Sequence, residues 1–388
     1  MKYRIHDGVS ISEVGVGCYA LGGAYGEKDF GEFRRMIVRA HELGVNYFDA
    51  ADAYGDAEVV LGKAVMPFRK DVLIATKVGV AGGKGPDLSA SYVKAACERS
   101  LKRLQTDYID NYQVHFDDPD VPAEETVGAL KELVSEGKIR RYGIGHLPVE
   151  RVEEYLGRGQ AFSVLMELSA VSRTSRTGLL PLCRRFGAAA IAFSVTGRGI
   201  LTGKIDEKTH FEEGDIRNID PLFQRENLAS GLRVATKLAV IAKRYGKTPA
   251  QAAVAWALSQ PGIVCALTGP STVAHLEENL GGSGWSFHIE DSHAFETFLN
   301  LEEERLRRER NVSIDSILNR PLPKETGQAF KDLVYAAETA TLVGRLQETA
   351  AEEFFIALMM IRDALDEAAI PDLEKMRDSL RGLVGPAT

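Results

Sequence analysis

The chain has 388 residues with 45% hydrophobic and 26% charged residues, and 37 Gly against 14 Pro, which excludes collagen-like, disordered and coiled-coil classes and allows a large core. A formal charge of -8 provides no global field for nucleic acid or an anionic membrane, so any anionic ligand needs a local basic site. Cys18, Cys97, Cys183 and Cys265 lie far apart, without CxxC or His spacing, and predict reduced buried thiols, not a metal centre. The N-terminal MKYRIHDGVS carries no signal-peptide-like apolar run and no long uncharged apolar stretch follows. A cytoplasmic enzyme or binding protein, with no nucleic-acid or membrane partner, is the expected class.

In chain order, short β-branched runs ending in Gly or polar residues alternate with stretches of helical apolar periodicity, the pattern of repeated βα units. Strands are predicted at 14–18, 47–50, 72–77, 108–115, 141–145, 163–167, 189–194 and 264–268. Helices are predicted at 30–43, 89–104, 123–136, 150–156, 179–186 and 232–245. Eight such units predict an α/β fold of the (β/α)8 TIM-barrel type over 1–282, better than a doubly wound sheet.

After Gly281-Gly282-Ser283-Gly284 no strand-like run appears, and 283–388 reads as an all-helical extension. The mixed-charge run at 301–310 reads as a solvated helix face, and amphipathic stretches follow at 328–346 and 350–365, with Thr349 and Glu352 spaced as a capping box. Apolar stripes that include Phe330, Leu333, Val334, Leu342, Phe354 and Leu358 must be buried. They either pack on the chain itself, or form a homo-oligomer interface or a cover over the strand ends.

Most chemical motifs are missing. Gly246-Lys247-Thr248 lacks the upstream Gly of a P-loop, and neither HExxH nor GxSxG occurs. Gly15-Val16-Gly17-Cys18-Tyr19-Ala20 matches GxGxxG/A only loosely, because a turn follows where a dinucleotide motif needs a helix start. The informative residues are Asp49, Lys77 and His115, each at the C-terminal end of a consecutive predicted strand, with Tyr54 in the loop after the second. In a parallel barrel these ends converge. A Lys ion-paired to Asp keeps its charge and lowers a neighbouring phenol's pKa from about 10. Such a Tyr can protonate a carbonyl oxygen that a His orients. Taken singly, each residue has an ordinary structural explanation; four in one place favour the catalytic one.

On these residues the sequence resembles the aldo-keto reductase family over about residues 8–282. Gly44-Val45-Asn46-Tyr47-Phe48-Asp49-Ala50-Ala51-Asp52-Ala53-Tyr54-Gly55 is similar to GxxxFDTAxxYG, Ala75-Thr76-Lys77 to the TK strand, and 107–115 to TDYIDLYQLH. The resemblance implies Asp49, Tyr54, Lys77 and His115 as the catalytic tetrad. Residues 194–204 resemble SPLGxGxLTGK and 268–279 resemble PGxxxxxQLxEN. These segments imply a cofactor site for NADPH, with NADH an alternative. Ser194, Val195, Gly197 and Lys204 would lie along the pyrophosphate, and Gly269, Ser271, His275, Glu278 and Asn279 at the adenosine end. Phe193 stands where the family stacks a Tyr on the nicotinamide, and Tyr19 and Asp49 border the cofactor. The family's carboxamide-binding Ser, Asn and Gln are replaced: Gly145 and His146 stand for the first two, and Met166 or Glu167 for the third. Ser271 stands where many members carry Arg.

The resemblance implies reduction of a small aldehyde or ketone, sugar-like substrates included, with Tyr54 as proton donor. The altered carboxamide residues keep two alternatives open. One is a redox-neutral epimerase or elimination enzyme with a retained cofactor; the other is a cofactor-binding regulatory subunit acting through the C-terminal helices.

Overall fold

The computed structural model describes residues 1–23, 29–80, 85–145, 147–362 and 369–387. The described residues cluster into two compact units, one of Met1–Ile205 with Ala235–Asp291, the other of Asp206–Val234 with Ser292–Thr388.

The first unit begins with a hairpin absent from the sequence reading, β1 (Tyr3–His6) and β2 (Val9–Ser12), joined by Asp7 and Gly8 with φ of 48° and 73°. Positive φ at both positions is the type I′ requirement that Asp-Gly meets. Eight parallel strands then close a barrel: β3 (Val14–Gly17), β4 (Tyr47–Asp49), β5 (Leu73–Val78), β6 (Ile109–Val114), β7 (Ile139–Gly145), β8 (Ser163–Glu167), β9 (Ala189–Phe193) and β10 (Ile263–Thr268). Closure comes from β10, which pairs with both β9 and β3. All eight predicted strands are present, within two residues at either end.

The helices of this unit are α1 (Phe30–Glu42), α2 (Ala57–Val65), α3 (Ala90–Leu104), α4 (Ala123–Ser135), α5 (Val149–Arg158), α6 (Leu179–Phe186), α7 (Arg225–Arg244) from Ala235 on, α8 (Pro249–Ser259) and α9 (Val273–Leu280). Helix α7 starts seven residues before its predicted position, and α2, α8 and α9 are additional to the prediction.

Strand period sorts side chains between the barrel interior and the helices. Asn111 Nδ2 donates to the Tyr47 hydroxyl at 3.0 Å and to Ser163 Oγ at 2.8 Å, which places all three inside. Two residues further on, the same faces carry Asp49, Gln113 and Leu165. Leu165 packs with Tyr47, Ala75, Ile191, Cys265 and Leu267, and Ile11 of β2 joins this cluster as an apolar plug.

The second unit holds α10 (Ile289–Leu318) from Ser292 on, α11 (Thr326–Leu342), α12 (Glu348–Arg362), α13 (Ile370–Leu383) and residues 206–234. Phe330, Leu333, Val334, Phe354 and Leu358 are buried together with Leu373 and Leu380 in its own core. Leu342, expected in that stripe, is 40% exposed because it is the last residue of α11, where the chain turns away. The expected Thr349 cap does not form: α12 starts at Glu348, and Gln347 accepts the Ala351 amide at 3.0 Å. The end of the predicted 350–365 stretch lies outside the described residues. Among the described residues, none group into three or more potential metal-binding side chains, and no helix is long and apolar enough to cross a membrane.

Candidate active site

Asp49 is the last residue of β4 and Lys77 the penultimate residue of β5, and the register pairs Asp49 with Ala75 across the strands. Their inward side chains meet under the strand ends: Lys77 Nζ lies 2.5 Å from Asp49 Oδ1 and donates to the Ala50 carbonyl at 2.7 Å. Both residues are nearly inaccessible, at 1% and 4% exposure. A lone charge in that place would be expelled or neutralised, so the pair is the condition for either ion to exist there. Burial works against the Lys77 charge, but Asp49 and Tyr54 outweigh it and hold its pKa above the ordinary value. Burial pushes the Asp49 carboxyl up, with Lys77 drawing it back.

Tyr54 follows β4 by five residues, and its ring centroid is 4.8 Å from Lys77 Nζ. Its hydroxyl is 3.4 Å from Nε2 of His115, the residue directly after β6, whose amide donates to Val78 O at 2.7 Å. Tyr19 packs edge-on against Tyr54 at 5.0 Å and Phe116 stacks on His115 at 4.3 Å. The tetrad is therefore brought together, with Tyr19 at its rim. One expectation is reversed. Lys77 does pull the Tyr54 pKa down, but burial outweighs it and carries the phenol up to about 12.

The other predicted positions form a second group around β8, β9 and α9. Glu167 and Phe193 are register partners at the ends of β8 and β9, and Glu167 forms an ion pair with Arg198 at 3.2 Å. Met166 has the wrong parity for a ligand position: Ser163, Leu165 and Glu167 share the inner face, and Met166 points to the helices. From Ser194 the chain turns sharply, with positive φ at Ser194, Gly197, Arg198 and Gly199. A Cβ on Gly197 would stand 2.7 Å from Val171 Cγ2, so packing as well as backbone freedom requires Gly there. Val195, next in the turn, is buried. Lys204 Nζ pairs with Glu278 Oε2 at 3.0 Å, tying this loop to α9. Thr272 caps α9 by accepting the His275 amide at 3.2 Å, and Ser271 Oγ lies 3.5 Å from His275 Nδ1. Gly269 follows β10, with nothing among the described residues within 4 Å of an added Cβ, and Asn279 follows Glu278 on α9. His146 lies outside the described residues.

A nicotinamide dinucleotide fits these residues. Among the described residues Asp49 Oδ2 has no hydrogen-bond partner, which suits it to accept from a ligand hydroxyl, and Gly269 and the α9 N-terminus suit a phosphate. Of the expected carboxamide positions, Gly145 offers no side chain, and an added Cβ there would come within 2.9 Å of Leu165 Cβ.

Comparison with known proteins identifies the family of the chain. The profile described as Aldo/keto reductase family matches residues 13–298. Aldo-keto reductase YhdN of Bacillus subtilis (strain 168) is 35% identical over 302 residues, covering 75% of this chain and 91% of the relative. Among solved structures, the glycerol dehydrogenase AKR11B4 from Gluconobacter oxydans is 28% identical with a TM-score of 0.71, covering 78% of this chain and 96% of its own. The holo form of aldo-keto reductase AKR11C1 from Bacillus halodurans is 29% identical with a TM-score of 0.64, covering 76% and 96%. The chain belongs to the aldo/keto reductase family, whose members are NAD(P)-dependent oxidoreductases.

Proposed function

We propose that this chain reduces the carbonyl group of a small aldehyde or ketone, sugar-like compounds included, with NADPH as the preferred reductant and Tyr54 as the acid. The observation that carries the reading is the half-buried Tyr54 hydroxyl, 3.4 Å from His115 Nε2 and next to the Lys77–Asp49 ion pair. Bound reduced nicotinamide supplies the hydride, and the chain's own residues do the rest. A phenol pushed up to about 12 stays protonated at neutral pH and holds the proton that a developing alkoxide needs. Lys77 stabilises the phenolate left after transfer, Asp49 holds Lys77 charged, and His115 orients the substrate oxygen. For the cofactor, Tyr19, Asp49, His146, Glu167 and Phe193 would serve the nicotinamide end. Ser194, Val195, Gly197 and Lys204 would follow the pyrophosphate, and Gly269, Ser271, His275, Glu278 and Asn279 the adenosine.

NADPH preference is expected to be modest, because Ser271 is neutral and Lys204 is already paired with Glu278. Fluorescence titration with NADPH and NADH measures it; equal affinities would mean that the 2′-phosphate has no dedicated partner.

The missing side chain at Gly145 favours one second reading, redox-neutral chemistry with a retained cofactor. Absorbance at the wavelength of reduced nicotinamide, followed with a panel of aldehydes and ketones, separates the two. Multiple turnovers of added NADPH support reduction. Bound cofactor that persists through turnover of an epimerisable or eliminating substrate supports the alternative.

A further inference from the structure

The loop leaving β6 carries His115 and Phe116 and then two buried carboxylates, Asp117 and Asp118. Buried carboxylates need matched donors. Asp118 finds them in the backbone, from Leu88 at 2.9 Å and Asp120 at 3.1 Å. Asp117 is matched from a different element. Arg151, in the first turn of α5, donates from Nε to both Asp117 oxygens at 2.9 Å. Its Nη2 reaches the carbonyls of Asp118 at 3.5 Å and Val121 at 3.4 Å, while Nη1 pairs with Glu154 one turn along. A single planar guanidinium thus ties three points of the 117–121 segment to α5. An ammonium group cannot span them in the same way.

The clamp begins two residues after His115. The imidazole is flanked by the Phe116 ring, stacked at 4.3 Å and 25°, and faces the Tyr54 hydroxyl at 3.4 Å. The His115 amide is anchored to β5, but Phe116 is carried by the chain that Arg151 holds. Any shift at Asp117 therefore moves the ring that lies flat on the imidazole.

We propose that Arg151 is a positioning residue: through Asp117 it keeps Phe116 against His115 and thereby sets the separation between His115 Nε2 and the Tyr54 hydroxyl. The inference rests on the roles proposed above for Tyr54 and His115. Mispositioning on the ångström scale can cost about 100-fold in rate, so Arg151→Gln and Asp117→Asn are expected to lower kcat about 10- to 100-fold. The KM for NADPH should stay within about twofold, and Arg151→Lys should recover part of kcat because it keeps the charge without the fork.

The test compares these full-length variants with Tyr54→Phe, using NADPH and one aldehyde that the wild type reduces. Ring signals of His115 are followed in 15N-histidine-labelled protein and assigned with His115→Gln. They are expected to move in Arg151→Gln and to return toward the wild type in Arg151→Lys, a pattern that a purely structural anchor would not produce. A folded Arg151→Gln with wild-type kcat and unmoved His115 signals overturns the proposal. If that variant does not fold, Asp117→Asn and Arg151→Lys carry the same decision. Tyr54→Phe keeps the two claims distinct: its full turnover would defeat the acid assignment, whereas its loss beside an unaffected Arg151→Gln would defeat only the positioning role.

Discussion

Two carboxylates three residues apart, Asp49 and Asp52, meet different surroundings. Asp49 faces Lys77 inside the barrel, whereas Asp52 feels the charge of the fully buried Glu58, and its Oδ1 has no hydrogen-bond partner among the described residues. Burial first, and then the Glu58 charge, push Asp52 up to about 7, with Arg103 and Arg99 offsetting only part. The folded chain therefore holds a proton that the unfolded chain has already lost above about pH 4. The resulting stability is full at low pH and is lost as pH rises through about 7. Asp52→Asn, which cannot ionise, should match the wild type near pH 4 and exceed it by roughly 1 to 3 kcal/mol at pH 8. Urea unfolding at both pH values checks this; a wild type that gains on the variant from pH 4 to pH 8 contradicts it. At this scale the inward tetrad was legible, because strand ends and a two-residue period are properties of the sequence. The repulsion between Asp52 and Glu58 was not, since it depends on α2, and the direction of the Tyr54 shift depends on burial, which charge counting omits.

Helix α2 shows why some elements were hard to read. Val59, Val60, Val65 and Gly62 give Ala57–Val65 poor intrinsic helix propensity, and its formation depends on packing. Gly62 marks that packing: an added Cβ would lie 2.2 Å from the Leu104 carbonyl oxygen at the end of α3. Gly62→Ala should destabilise the chain by roughly 1 to 3 kcal/mol. Gly128 in α4 has nothing among the described residues within 4 Å of an added Cβ, so Gly128→Ala should instead stabilise by about 0.5 to 1 kcal/mol. Denaturant midpoints with unchanged slopes measure both, and equal signs would refute the distinction. Other elements carried readable signals. Thr248-Pro249-Ala250-Gln251 forms a capping box at the start of α8, and Asp7-Gly8 turns the first hairpin. The eight barrel strands were legible because their apolar runs lie between unmistakable Gly and polar ends.

At the scale of the whole chain, the helical unit takes in residues 206–234 as well as the C-terminal helices. Arg225 pairs with Asp332 at 2.7 Å, Glu226 accepts from the Tyr335 hydroxyl at 2.5 Å, and Asn227 accepts from Arg310 at 2.9 Å. No local pattern announces partners about a hundred residues away, which is why this association escaped the sequence reading. A chain ending at Asp291 should therefore expose 206–234 to limited proteolysis while the barrel unit resists it. Ending at Gly282 should be worse. It also removes Ser283 and Trp285, which hold Glu13 and the Gly281 carbonyl, and Asp291, which holds Tyr245. Equal protection of 206–234 in the full and shortened chains would contradict this account.

The central claim, proton donation by Tyr54 to a carbonyl oxygen, is tested most directly by stopped-flow measurement of NADPH oxidation in Tyr54→Phe with an aldehyde that the wild type reduces. The account predicts a fall of at least about 100-fold in the oxidation rate with NADPH affinity nearly unchanged, because the substitution removes the acid and no phosphate contact. Retention of more than about a tenth of the wild-type rate would contradict it.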